Sequence, residues 1–110
     1  MMTENIWAIA KHSDIKHLLL LLTEQLGSDG FVIDHATAVD DRAIYLQHRD
    51  AEQVRAYIYT LGQKAGRYGV HLEFPESVEP HENLSLASLV AMLSVHFDIA
   101  VIHPLPHEPL

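Results

Sequence analysis

The 110-residue sequence contains no cysteine, which removes disulfide frameworks, thiolate metal sites and thiol nucleophiles together. Basic residues are scarce and unevenly placed. All seven fall at positions 11, 16, 42, 49, 55, 64 and 67, against nine acids over residues 1–67, a balance of −2. Residues 68–110 hold six acids and no Lys or Arg, a balance of −6, so the whole chain carries −8 with histidine neutral. Nucleic-acid affinity comes mainly from neutralising phosphates with Lys and Arg, and anionic membranes select the same residues, so neither is an expected partner.

Long apolar runs are also missing. Leu18–Leu22 is far short of the ~20 residues that cross a bilayer, and the longer stretch from Leu84 to Ile102 is interrupted by serines, His96 and Asp98. The opening MMTENIWAIAKHSD has no basic region and too little apolar length for a signal peptide, which makes a cytoplasmic setting the expectation. Glycine patterns such as GxGxxG or a P-loop are absent, as is a GxSxG nucleophile elbow.

What is present is a globular composition, 48% apolar and 20% charged, in a chain of single-domain length. Residues 1–103 read as one α+β domain and 104–110, with prolines at 104, 106 and 109, as an extended tail. Ile6–Lys11 reads as a buried strand. A helix follows from Asp14 to about Leu26, capped by Ser13 and ended by Gly27. Phe31–His35 and Ala43–His48 read as strands, with Asp40 and Asp41 in the loop between them. Asp50 and Gln53 suggest a capping box, and Val54, Tyr57, Ile58, Leu61 and Ala65 recur at helical spacing, which predicts a second helix to about Arg67. Gly62 and Gly66 would then let it approach the sheet, with Tyr57 in the core and Tyr59 at the surface. VHLEF, residues 70–74, alternates as a half-exposed strand. Residues 75–83 read as an acidic loop, Leu86 to Phe97 as a third helix capped by Ser85, and Ile99–Ile102 as a last strand. The resulting order, β-α-β-β-α-β followed by α-β, predicts a ferredoxin-like two-layer sandwich with an antiparallel sheet and a C-terminal extension.

Such a sheet has one face covered by helices and one open. Tyr45 and Gln47 from AIYLQH, with His71 and Glu73 from VHLEF, are the candidates for that open face, where a ligand or a second copy would dock. The expected function is a small non-catalytic ligand-binding or regulatory module acting through this face, as a homodimer or with a protein or small-molecule partner, and without a cofactor. The alternative uses the nine histidines, the most unusual feature of the composition. In the split βαβ topology His12 and His35 end parallel strands about 10 Å apart, near Asp40 and Asp41, so these four could hold a divalent metal or place a histidine base beside a carboxylate. A second set, His103 and His107 with His81, Glu79, Glu82 and Glu108, cannot form an HExxH helix because Pro104 and Pro106 intervene.

Overall fold

The computed structural model describes residue 6, residues 9–37 and residues 39–101. Seven elements follow one another: α1 (Ser13–Leu26), β1 (Phe31–Asp34), β2 (Ala43–His48), β3 (Arg55–Tyr59), β4 (Tyr68–Glu73), β5 (Val78–Leu84) and α2 (Leu86–His96). The strands form one sheet in the order β1-β2-β3-β4-β5, each antiparallel to its neighbours. The protein is α+β, as its sequence predicts, but the sheet is a five-stranded meander between two terminal helices instead of a split βαβ.

The largest correction concerns residues 50–67. The expected second helix is a turn, a strand and a loop. In RAYIY, Ala56 and Ile58 are buried while Arg55, Tyr57 and Tyr59 are half-buried on the other side, the period of two that defines a strand. Aromatic and β-branched residues favour that pleated setting, and Gly62 and Gly66 adopt φ of 76° and 75°, values that end a right-handed helix. Asp50 caps nothing; its N–H donates to the His48 ring instead. Most of the expected 75–83 loop, together with Leu84, forms the edge strand β5 (Val78–Leu84). Proline is tolerated at Pro80 because an edge strand needs only one ladder.

The chain termini also differ from expectation. The Ile9 N–H donates to the Ile6 carbonyl, and Ile9–Lys11 form bends, not strand. Trp7 lies outside the described residues. At the other end, residues 99–101 are not strand, and Ile102 with the 104–110 tail lies outside the described residues.

One core joins both helices to one side of the sheet. Ile15, Leu18, Leu19, Leu22 and Leu26 of α1 meet Leu89, Val90 and Leu93 of α2, with Phe97 beyond it, over Phe31, Ile44, Leu46, Ala56, Ile58, Val70 and Leu72. Each fully buried large side chain of this kind contributes roughly 1.5–3 kcal/mol. The helix ends are well defined. His12, not Ser13, caps α1, its Nδ1 accepting from the Asp14 N–H at 3.3 Å, and Gly27 ends the helix at φ 86°. Ser85 caps α2 through the Ser88 N–H, as expected. Asp98 takes φ 54° directly after α2, where the Ile99 N–H returns to the Ser94 carbonyl. No helix among the described residues is long and apolar enough to cross a membrane.

Candidate functional site

Strand alternation fixes what lies on the side of the sheet away from the helices. The registers place Asp34 opposite Tyr45, Tyr45 opposite Tyr57, Tyr57 opposite His71, and His71 opposite Pro80. One step along, Val32, Gln47, Arg55, Glu73 and Val78 form a second row. Tyr45, Gln47, His71 and Glu73 therefore stand together on this face, and among the described residues no helix covers it. Three residues that the mistaken helix had separated from them, Arg55, Tyr57 and Tyr59, complete the surface.

The centre of the face is aromatic. Ring centroids lie 5.2 Å apart for Tyr45 and Tyr57, 5.5 Å for Tyr57 and Tyr59, and 5.5 Å from His71 to each of Tyr57 and Tyr59. The pairs are tilted or edge-on, the arrangements that ring quadrupoles favour. Tyr59 crosses Gly69, where an added Cβ would meet the end of its ring, so glycine lets the phenol lie close over β4.

Arg55 organises one side of this cluster. Its guanidinium sits 4.1 Å from the Tyr45 ring centroid, 3.2 Å from Asp34 Oδ2 and 3.1 Å from Glu73 Oε1. The Tyr45 hydroxyl donates to Glu73 Oε2 at 2.6 Å. Burial, with the Glu73 carboxylate next to it, pushes the Tyr45 phenol up to about 12. The Thr37 hydroxyl donates to Asp34 at 2.7 Å and, with the Ala36 and Thr37 amides and Arg55, holds the Asp34 carboxyl below its ordinary value. Arg55 thus ties β1, β2 and β4 across β3, with its charge compensated twice.

A similar pair occupies the other side. The Tyr59 phenol is raised by burial and by the neighbouring Glu82 carboxylate. The Gln63 amide nitrogen reaches Glu82 Oε2 at 3.5 Å, and the Gln63 carbonyl oxygen accepts from the Asn83 N–H at 2.9 Å. Among the described residues no cation pairs with Glu82.

The alternative set is dispersed. The His12 N–H donates to the Asp41 carbonyl at 2.9 Å, so the backbone does bring the Asp40–Asp41 loop to the start of α1. The side chains serve other ends. Asp40 accepts from the Arg42 N–H, while Lys11 donates to the Asp40 carbonyl. His35 follows β1 and is exposed. Among the described residues no three His, Asp or Glu side chains converge as metal ligands. His103, His107 and Glu108 lie outside the described residues. His81 pairs with Glu79 at 3.2 Å on the edge strand.

His12 does meet a carboxylate, though an unexpected one. Its Nδ1 lies 2.8 Å from Asp14 Oδ1, and Asp14 Oδ2 accepts from the Thr60 hydroxyl at 2.7 Å with Arg42 Nε 3.4 Å away. Burial works to raise Asp14, but the Thr60 hydroxyl, the adjacent His12 ring and the Ile15 amide outweigh it and hold the carboxyl down. The hydroxyl bonds the aspartate instead of the imidazole, so the trio cannot relay a proton from Thr60 to His12. It joins the start of α1 to the end of β3. His96, missed at the sequence level, has a comparable structural role. Its Nε2–H donates to the Arg55 carbonyl at 2.7 Å, and its ring stands edge-on to Phe74 at 4.8 Å. Only its place at the end of an uncharged helix could have signalled this.

No family model matches the chain, and neither a curated protein nor a solved structure matches it.

Proposed function

We propose that this protein is a non-catalytic binding module that takes its ligand on the uncovered sheet face, over Tyr57, Tyr59 and His71. The observation that carries the reading is the aromatic cluster itself. Four rings gather on the side of the sheet away from the core, where they add little to core packing and offer a broad, weakly polar platform. The surrounding carboxylates Asp34, Glu73 and Glu82 disfavour phosphate-bearing ligands, which supports a protein or small-molecule partner over nucleic acid.

Self-association belongs to a different surface in this reading. The stretch from Leu84 to Phe97 carries no Asp, Glu, Lys or Arg, and Val95 is 84% exposed on it. Two copies of a strongly acidic protein repel one another, and a neutral patch lowers that cost. Val95→Glu is therefore expected to convert a dimer to a monomer in sedimentation without loss of helical signal; an unchanged sedimentation coefficient in the dimer range would remove α2 from consideration.

The ligand face is tested with Tyr57→Ala combined with His71→Ala, which spares the Arg55 network. Amide shifts from a library of small neutral aromatic fragments should cluster on β3 and β4 and vanish in the double variant. Shifts mapping to the helices, or surviving both substitutions, would overturn the proposal.

A further inference from the structure

The uncovered face contains one cation site that is already filled. Arg55 lies over the Tyr45 ring, and the same tyrosine donates to Glu73, a carboxylate two strands away that also pairs with the guanidinium. Tyr59 repeats the first half of that arrangement. It crosses Gly69 on β4, and the register of Tyr68 opposite Leu84 and Val70 opposite His81 sets Glu82 and Asn83 beside that glycine on β5, again two strands away. Ring neighbours are present too, with Tyr57 tilted and His71 edge-on, each 5.5 Å from its centroid. What differs is the cation. Among the described residues none pairs with Glu82, which is exposed on the edge strand and meets only the weakly held Gln63 amide and the Tyr59 phenol.

We infer that Tyr59 and Glu82 receive an arginine side chain from a partner polypeptide, its guanidinium laid over the Tyr59 ring and paired with the Glu82 carboxylate. This rests on the uncovered face being the binding surface and names its partner chemistry. A planar guanidinium suits the place better than an ammonium, because it stacks on a ring and pairs edgewise with a carboxylate at once. Charge favours the encounter: Asp34 and Glu73 outnumber Arg55 by one, and among the described residues no cation pairs with Glu82, so the face attracts a positive side chain. The net charge of −8, with six acids and no Lys or Arg over residues 68–110, draws basic chains from a distance set by the Debye length.

The test uses the full chain labelled with nitrogen-15 and three hexapeptides alternating glycine with arginine, lysine or glutamate. The arginine peptide should shift the Tyr59, Gly69 and Glu82 amides saturably, more tightly than the lysine peptide, and the glutamate peptide should not bind. Glu82→Gln and, separately, Tyr59→Leu should each weaken the arginine peptide by roughly fivefold, the size of one exposed cation–π or charged contact. A well-dispersed spectrum shows that each variant is folded. Equal binding of the arginine and lysine peptides that is indifferent to Glu82→Gln would overturn the assignment as mere charge attraction. If neutral aromatic fragments still map to the face while the arginine peptide does not, the arginine assignment falls and the binding face stands. If neither probe touches the face, both fall.

Discussion

The two sides of the sheet use the same alternating strands for opposite ends. On the helix side, Ala56 and Ile58 of β3 vanish into a predominantly apolar core with α1 and α2. On the other side, Arg55 and Tyr57, the immediate neighbours of Ala56 in sequence, build a lattice of rings, carboxylates and one guanidinium that stays partly wet. Stability is concentrated on the first side and chemical variety on the second. A single strand can serve both because a side-chain period of two separates them completely.

Substitution should expose that division. Leu93→Ala empties a fully buried site on the helix side and is expected to cost about 3 kcal/mol in urea unfolding. Tyr57→Ala on the opposite side should cost only about 1 kcal/mol while removing the centre of the aromatic cluster. Comparable losses from the two would mean that the outer face is a second core. Arg55→Ala falls between them. It leaves Asp34 and Glu73 facing each other without a cation, at a site still partly screened by water, so about 2 kcal/mol is expected. Arg55→Lys should recover part of that but not the stacking on Tyr45.

Acidity offers a gentler comparison. Burial lowers the pKa of His96 on the helix side, so the folded protein resists a proton that the unfolded chain accepts near 6.5. Its contribution is complete above about pH 6.5 and is lost as pH falls below that value. Asp34 on the outer side is held below its ordinary value, so its contribution is present above about pH 4 and disappears as pH falls through the lower folded value. Tyr45 works in the opposite sense, its contribution complete below about pH 10 and lost as pH climbs to about 12. Melting temperatures across pH should therefore fall slightly between 6.5 and 5 in the native protein, and His96→Gln should flatten that segment alone. A segment unchanged by His96→Gln would assign the mild acid response to other histidines.

Much of this organisation is legible in the residues. AIYLQH coincides with β2, FVID and VHLE alternate as strands, and α1 and α2 end where Gly27 and Asp98 take positive φ. The outward residues of β2 and β4 follow from alternation alone. Arg55, Tyr57 and Tyr59 were hidden because five apolar residues between Val54 and Ala65 mimic helical spacing, and a short segment satisfies both periods at once. The three glycines at 62, 66 and 69 were the contrary signal. They mark a loop and a ring-covered strand position, and weighing them first would have given β3. The Tyr59–Glu82 pair depends on β5, whose proline and acids suit an edge strand as well as they suit a loop. His12 as the cap of α1 could not have been foreseen, because Ser13 beside it is the better capping residue by type.

A sheet in which every strand lies beside its neighbours in sequence has consequences for how the chain assembles. All four ladders can close as successive hairpins, each needing only a short loop to be ordered first, and only the meeting of α1 with α2 spans nearly the whole chain. Zippering is thus local and rapid, with the docking of the two ends left as the late event. The same layout lets either end detach while the hairpins persist. Amide exchange should then be slowest in β2, β3 and β4 and faster in both helices, so that the chain loosens from its ends inward.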